Sequence, residues 1–366
     1  MMMKHGLPMA AKLRPIGKDE QCSLYEYSQE GLVNHYYVAS SEPSCRLMAM
    51  PEVVGMTCKL SLIPSTRFAL QYILQGKADS RLHIFNILRG ALNFPLEESC
   101  HDAGLYVRTT DFVTCERVIE EGQIKGLDIK YEKLLPERDV TVLIGDIIAS
   151  GKTLKLCMPL IAKRFRECGG NIRRVVFFTI GGTKAIGLLE HLTEEFRKVW
   201  PEFEGFDCVF YEGVFTVYED KGVTGVNTPD IDFGWREGAV APEFRQYIMR
   251  RPMSLFEKCT IYDGGARRFE IPCHIEEVKE YWERLQKVAE KADFSAFVSE
   301  KLGYKTGLSY DEWLDMTHLE DCEQNKQQYQ MEQQVCKDLI DRNKDSFKDL
   351  CQNRLEEFNR SMIRFV

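Results

Sequence analysis

An acidic residue and a short loop of small, hydroxyl-bearing and basic residues stand close together near the middle of the sequence. Asp146 follows an apolar run, and Ala149-Ser-Gly-Lys-Thr153 comes before a helical pattern. Backbone N–H groups at the start of a helix, hydroxyl groups and a lysine together bind phosphate. A carboxylate accepts hydrogen bonds from sugar hydroxyls and also attracts Mg²⁺. Phosphate and sugar groups recognised side by side indicate a site for a phosphorylated sugar.

Hydrophobic spacing shows which elements must position these residues. Residues 140–144 are apolar and β-branched, as is typical of a strand covered on both faces. From Leu154 the apolar residues recur with a helical period, and Gly169 and Gly170 stop the helix. A second apolar strand follows over 175–180. Strand, helix and strand in this order form a parallel crossover, so we expect the loop at the carboxyl edge of a sheet.

A nucleotide-binding P-loop is one interpretation of this loop. That motif needs a glycine, four further residues, and then Gly-Lys-Ser/Thr. Counting back from Gly151, Lys152 and Thr153 places the required first glycine at Asp146, and Gly145 is one residue too early. The phosphate cradle depends on that backbone position, so a P-loop phosphotransferase is the weakest of three hypotheses.

A second interpretation fits the spacing. The stretch from Gly145 to Thr153 resembles the phosphoribosyl pyrophosphate (PRPP) signature of type I phosphoribosyltransferases, and it is closest to the version in hypoxanthine-guanine phosphoribosyltransferases. The resemblance implies an α/β fold with a parallel central sheet flanked by helices. It also implies that Asp146 binds the ribose and reaches Mg²⁺ indirectly, through water or PRPP. The 5′-phosphate would be bound by Ala149, Ser150, Gly151, Lys152 and Thr153.

The resemblance assigns further candidate residues outside the loop. Arg89 and Gly90 follow an apolar strand at 82–88 and match a turn that binds pyrophosphate in the family. Arg108 is a candidate member of a lid over the reacting centre, and Lys184 is a candidate for binding the acceptor. Each has an ordinary alternative, because a turn, a solvated arginine and a lysine at the start of a helix are common surface features.

The implied reaction is displacement of pyrophosphate from PRPP by a nitrogen acceptor such as a nucleobase, through a transition state that resembles an oxocarbenium ion. Two positions depart from the family pattern: Gly145 replaces the first of two paired acids, and Ala149 replaces an aspartate that is proposed as a general base. The leading hypothesis is therefore a phosphoribosyltransferase of nucleotide metabolism with an unidentified acceptor. The alternative is a non-catalytic PRPP- or nucleotide-binding regulatory protein on the same fold.

Length and pattern divide the chain into four parts. At 366 residues it exceeds one ordinary domain. Residues 1–60 are predicted to form a cover segment of strands and turns, and 61–200 the phosphoribosyltransferase-like core, with a helix over 65–75. Residues 201–275 are predicted to be a β-containing extension, with strand pairs at 208–218 and around Gly264-Gly265 in 261–271. Residues 276–366 are charged and helical, with a solvated face favoured over a homo-oligomer contact.

Composition excludes several classes of protein. With 48 basic against 56 acidic residues the net charge is −8, which disfavours a surface that coats nucleic acid. No apolar run reaches the roughly 18 residues of a membrane span, and the N-terminus lacks the apolar stretch of a signal peptide. The 13 cysteines are scattered without a C-x-x-C pair, which favours reduced thiols. We therefore expect a cytoplasmic protein that does not enter the membrane.

Overall fold

The computed structural model describes residues 11–75, 81–88, 92–120, 123–218, 222–226, 232–257 and 264–365. Within these ranges ten strands form one sheet. The strands are β1 (Lys12–Lys18), β2 (Cys22–Ser28), β3 (His35–Ser41), β4 (Arg81–Leu88), β5 (Val107–Glu120), β6 (Gln123–Lys133), β7 (Val140–Ile148), β8 (Ile172–Gly182), β9 (Gly205–Tyr218) and β10 (Asp232–Val240). Their order is β1-β2-β3-β9-β8-β7-β4-β5-β6, and β10 pairs with β9.

The sheet is parallel at its centre, as predicted, but mixed as a whole. The six central strands, β3, β9, β8, β7, β4 and β5, pair in parallel. The pairs β1–β2, β2–β3, β5–β6 and β9–β10 are antiparallel. Short connections join β1 to β2, β2 to β3 and β5 to β6, whereas each central pair needs a crossover. The fold class is therefore α/β with a parallel centre and antiparallel margins.

Helices cover both faces of the sheet and continue beyond it. The right-handed rule for parallel crossovers places α4 (Lys152–Glu167) and α5 (Thr183–Val199) on one face of the sheet and the first three helices on the other. The helices are α1 (Glu42–Ala49), α2 (Gly55–Ile73), α3 (Leu96–Asp102), α4 (Lys152–Glu167), α5 (Thr183–Val199), α6 (Pro242–Arg250), α7 (Gly264–Phe269), α8 (Ile271–Ala289), α9 (Phe294–Leu302), α10 (Tyr310–Thr317), α11 (Glu323–Asn343) and α12 (Phe347–Met362). The described residues also contain two 3₁₀ segments, Pro252–Phe256 and Ile363–Phe365.

The N-terminal and C-terminal parts of the chain meet at the sheet margin. The segment predicted as a cover contributes β1 to β3 to the sheet itself. The amide of Leu13 in β1 donates to the carbonyl of His318, just after α10, at 3.0 Å. The Tyr25 hydroxyl in β2 donates to Glu243 in α6 at 2.8 Å. The N-terminal strands and the C-terminal helices are therefore packed against each other.

Two predictions for the C-terminal half are wrong. Gly264–Phe269 is helix α7 and not a strand pair, because the residues at its start are buried and Arg267 donates to the carbonyl of Val53 at 2.7 Å. Residues 208–218 belong to one continuous strand, β9, instead of a hairpin. The backbone of β9 bends at Glu212, whose φ is +65°.

A buried ion pair joins the C-terminal helices. Arg245 of α6 and Glu332 of α11 have side-chain exposures of 1% and 0%, and their nearest charged atoms are 3.3 Å apart. Glu332 also accepts hydrogen bonds from Trp313 Nε1 at 2.9 Å, Gln328 Nε2 at 2.7 Å and the Tyr304 hydroxyl. A buried charge is tolerated only when it is paired and hydrogen-bonded, as this one is. In the described ranges, no helix is both long and apolar enough to cross a bilayer.

Candidate functional site

The loop between β7 and α4 lies at the carboxyl edge of the sheet, as the sequence predicts. Gly151 immediately precedes the helix and has a φ of +69°, a conformation that favours glycine. A Cβ at this position would also approach Leu188 Cδ2 of α5 to 2.8 Å. Because Gly151 has no side chain, it cannot cap the amides of the first helical turn, which begins at Lys152. These amides and the exposed Lys152 make the loop suited to an anion.

Asp146 lies near the end of β7, on the strand that leads into this loop. It is half-buried, and one carboxylate oxygen accepts from the amide of Ile147 at 2.8 Å. Its register partner on the neighbouring strand β8 is Thr179. Among the described residues no group of three His, Cys, Asp or Glu side chains is arranged to hold a metal ion. A single carboxylate still suits Mg²⁺ that arrives with a phosphorylated ligand, since Mg²⁺ keeps waters and uses few protein ligands.

Gly145 packs against the chain that follows β4. The amide of Leu92 donates to the carbonyl of Gly145 at 3.4 Å. A Cβ at Gly145 would overlap the carbonyl group of Leu92 and lie 2.7 Å from the amide nitrogen of Asn93. The close approach of this backbone explains a glycine where the family has an acid. Arg89 and Gly90, the predicted pyrophosphate turn, lie outside the described residues.

A long hairpin projects beyond the same edge of the sheet. The last pair between β4 and β5 is Leu88↔Thr114, but β5 continues to pair with β6 as far as Glu120↔Gln123. The register shifts between Thr114 and Cys115, where the hairpin leaves the sheet. Bulges of this kind bend a strand. The outer half of the hairpin therefore stands past the level of Asp146.

The structure brings together some of the predicted site residues but not all. Ala149 is half-buried, Ser150 is exposed, and both lie in the loop, while Thr153 lies in the first turn of α4. Lys184 is exposed in the first turn of α5, directly after β8, and so lies at the same edge. Arg108 lies at the other end of β5 and pairs with Glu137 at 3.2 Å. In register it is level with residues 141–142, roughly 15 Å along the strand from Asp146.

A buried histidine cluster, which the sequence analysis did not single out, lies under the hairpin. His83 of β4 is fully buried, with Nδ1 3.1 Å from Asp111 Oδ2 and Nε2 3.3 Å from Glu137 Oε2. The signal was present in the sequence, because His83 is a titratable residue within the largely apolar run of 82–88. A polar residue in a buried strand calls for polar partners, but sequence alone does not identify them.

Another buried carboxylate lies within β9. Glu212 is 0% exposed and accepts from the Cys45 thiol at 3.1 Å and from the amide of Ser41, the N-cap of α1, at 3.3 Å. The hydroxyls of Ser40 and Ser44 donate to it as well. Burial raises the pKa of Glu212 to about 7, although these hydrogen bonds oppose the rise. No sequence pattern marks this network, because its members come from two separate segments, residues 40–45 and Glu212.

We expect the stability of the chain to fall as the pH rises from about 4.5 to about 7. In that window folded Glu212 holds a proton that the unfolded chain, with an ordinary pKa of 4.5, has lost. The contribution is fully present below the unfolded pKa and is lost as the pH passes the folded pKa; its size is roughly 3 kcal/mol. Denaturant titrations at several pH values should show a flatter profile for Glu212→Gln. Parallel profiles for the two chains would contradict this assignment.

Comparison with known proteins gives partial similarities among solved structures. No protein-family model matches the chain, and no curated protein matches it. A hypoxanthine phosphoribosyltransferase from Staphylococcus aureus is similar over 32% of this chain and 62% of its own, with 20% identity and a TM-score of 0.26. The AQ2163 protein from Aquifex aeolicus is similar over 46% and 80%, with 13% identity and a TM-score of 0.33.

The hypoxanthine-guanine phosphoribosyltransferase of L. donovani is similar over 37% of this chain and 78% of its own, with 17% identity and a TM-score of 0.26. The chain thus spans less than two thirds of the length of the Staphylococcus aureus enzyme. Part of the chain is similar in structure to phosphoribosyltransferases of the hypoxanthine type.

Proposed function

We propose that the chain binds PRPP with Mg²⁺ at the carboxyl edge of β7 and transfers its phosphoribosyl group to a nitrogen acceptor. The observation that carries the proposal is the arrangement of Asp146 at the end of β7 and the Gly151 bend at the start of α4. A carboxylate for sugar hydroxyls and amides for a phosphate thus stand a few residues apart on one rigid unit.

Each part of the site has a separate task. The first-turn amides of α4 and Lys152 bind the 5′-phosphate, and Asp146 accepts from the ribose hydroxyls and holds Mg²⁺ through water. Bound Mg²⁺ supplies positive charge that stabilises the departing pyrophosphate. The hairpin beyond Thr114 is placed to shield the sugar from water. Lys184, in the first turn of the neighbouring helix α5, is placed to contact the acceptor.

The transfer breaks the bond between the anomeric carbon and pyrophosphate and forms a bond from that carbon to nitrogen. Ala149 has no titratable group, so no base at this position removes a proton from the acceptor. The acceptor that suits the site therefore needs no deprotonation, because its attacking nitrogen already carries a free lone pair. Alignment of this nitrogen with the sugar supplies the rate enhancement.

The second candidate is a regulatory protein that binds PRPP without turning it over. Two observations favour it: Leu92 occupies the space of the family's first acid at Gly145, and Ala149 stands where a base is expected. PRPP binding without pyrophosphate release, across a broad panel of nitrogen acceptors, would select this candidate. Pyrophosphate release with any of these acceptors would select the transferase.

We expect PRPP with Mg²⁺ to raise the thermal unfolding temperature of the chain, and Asp146→Asn to weaken the binding. One hydrogen bond to a charged group contributes about 1.5–3 kcal/mol, which corresponds to a Kd roughly tenfold to a hundredfold higher. Lys152→Ala should weaken binding less, because its ammonium group is exposed and screened. Isothermal titration calorimetry with PRPP and Mg²⁺ measures both changes.

The chain offers a matched control for each variant. Asp139 precedes β7 at its opposite end and has a φ of +56°, which asparagine tolerates, so Asp139→Asn should bind PRPP normally. Lys155 is exposed one turn further along α4, and Lys155→Ala should have little effect. An absence of stabilisation by millimolar PRPP, or equal losses in each pair of variants, would count against the proposed site.

A further inference from the structure

The fully buried His83 ring lies between the carboxylates of Asp111 and Glu137. Asp111 is 0% exposed, and its Oδ1 also accepts from the amide of Leu135 at 2.8 Å. Glu137 is 22% exposed and binds both His83 and Arg108. The pKa of Glu137 lies below its usual value, mainly because of the hydrogen bonds from Arg108, with a smaller contribution from those of His83. Glu137 is thus held in its ionised form.

The two carboxylates limit the protonation states that are open to the ring. An ionised carboxylate can only accept a hydrogen bond, so a ring nitrogen that faces one must donate. Nδ1 faces Asp111 and Nε2 faces Glu137, so with both carboxylates ionised both nitrogens donate and the ring carries two protons. With Arg108, the cluster contains two positive and two negative charges. A neutral total makes its burial tolerable.

The cluster ties the base of the hairpin to the core. Asp111 lies on β5, and Leu135 and Glu137 lie in the connection from β6 to β7, so both arms of the hairpin are attached to β4 through His83. The same ring packs edge-on against Phe165 of α4, with centroids 6.3 Å apart. Helix α4 begins at the proposed phosphate loop. His83 therefore contacts both the base of the hairpin and the helix of that loop.

We propose that His83 is a positioning residue: as a doubly protonated ring it locks the base of the β5–β6 hairpin to β4 and α4. The attached base thereby holds the outer half of the hairpin at the carboxyl edge of the sheet, where the Asp146 loop also lies. The bulge at Thr114/Cys115 separates the locked base from the outer half, so the base stays fixed while the outer half bends. The effect of His83 on PRPP binding rests on the proposed function, whereas its attachment of the hairpin base to β4 and α4 does not.

The protonation is tested directly by ¹⁵N NMR of the full chain with labelled histidine side chains at neutral pH. The His83 signals are assigned by their loss in His83→Gln. We expect both nitrogens of His83 to carry a proton in the native chain. Asp111→Asn keeps the acceptor for Leu135 and donates to Nδ1, so we expect the ring to become neutral with a proton on Nε2 alone. A native His83 ring with one unprotonated nitrogen overturns the proposal.

Amide hydrogen exchange tests the positioning role. In Asp111→Asn and His83→Gln the amides of residues 115–120 and 123–129 should exchange at least about tenfold faster, the factor for one lost charged hydrogen bond, while those of β8 stay unchanged. The matched control is His101→Gln, because His101 is an exposed histidine on α3 beside Asp102. Faster exchange throughout the sheet, or no change in the hairpin, overturns the positioning role.

PRPP titration of the same variants separates the two proposals. We expect about threefold to tenfold weaker binding than in the native chain, because the hairpin is no longer held at the edge of the sheet where the proposed sugar site lies. If the native chain binds no PRPP but the hairpin still loosens in the variants, the proposed function fails and the lock stands. If native PRPP binding is normal and the hairpin is unaffected by the variants, the lock fails and the proposed function stands.

Discussion

Replacing Gly145 by aspartate, which restores the family's paired acids, is expected to abolish PRPP binding rather than improve it. Any Cβ at this position overlaps the carbonyl group of Leu92 and comes within 2.7 Å of the Asn93 amide nitrogen. Backbone atoms cannot rotate away as a side chain does, so the chain after β4 must move. Overpacking of this kind costs about 1–3 kcal/mol of stability. Gly145→Ala, which adds one methyl group, should already destabilise the chain and weaken PRPP binding more than tenfold.

Gly187 of α5 provides the matched glycine. No atom lies within 4 Å of a Cβ added there, and the position is an ordinary helical one. Gly187→Ala should stabilise the chain by about 0.5–1 kcal/mol because alanine loses less conformational freedom in a helix. Urea denaturation and PRPP titration of both alanine variants give the comparison. Tighter PRPP binding by Gly145→Asp would show that the space at Leu92 opens easily.

Glu332→Gln is expected to be among the most destabilising single substitutions in the C-terminal helices. Its removal leaves the charge of Arg245 buried without a counter-charge, which costs about 3–5 kcal/mol. Gln328, Trp313 and Tyr304 also lose a charged acceptor. Because Trp313 Nε1 is 2.9 Å from Glu332, tryptophan fluorescence during urea denaturation reports on this cluster directly.

Glu323 begins the same helix and is exposed, so Glu323→Gln serves as the control. Its effect should be below about 1 kcal/mol, as for most surface substitutions. A loss of similar size in both variants would mean that the buried pair contributes little beyond helix formation. A replacement of the pair by apolar residues of similar volume need not destabilise, since both charges then leave the core together.

Local pattern predicted the elements around the loop well. The strand predicted at 140–144 is β7, the helix from Leu154 is α4, and the strand at 175–180 is β8, all with ends shifted by a few residues. These elements alternate between buried apolar strands and an amphipathic helix, a contrast that periodicity detects. The strand at 82–88 is confirmed as β4. The α/β class followed from this alternation.

Tertiary contacts explain the helix bounds and strand directions that local sequence pattern did not predict. The helix predicted at 65–75 begins ten residues earlier, at Gly55, with Pro64 in its interior, because Cys58 and Leu62 are fully buried against the core. Proline normally marks a helix start or a break, so the sequence favours the shorter helix. The antiparallel margins of the sheet could not be predicted either, since the hydrophobic pattern of a strand does not indicate the direction of the neighbouring strand.

The candidate site likewise contains residues whose position could be predicted from local sequence and residues whose position depends on tertiary contacts. Asp146 and the loop to Thr153 are contiguous in sequence, so their joint position at the sheet edge could be predicted from one crossover. Whether Arg108 approaches them depends on which end of β5 it occupies, and the register places it at the far end. Position 145 must be a glycine because the backbone of Leu92, more than fifty residues away, packs against it, and this contact is visible only in three dimensions.

The place of β9 in the sheet constrains how the chain folds during its synthesis. Strand β9 lies between β3 and β8, and it is the parallel neighbour through which β1 to β3 join the other strands. A nascent chain that has emerged only as far as residue 200 therefore has two sheet fragments and no strand to connect them. Until the ribosome releases residues 205–218, the open edges of β3 and β8 remain exposed to association with other chains.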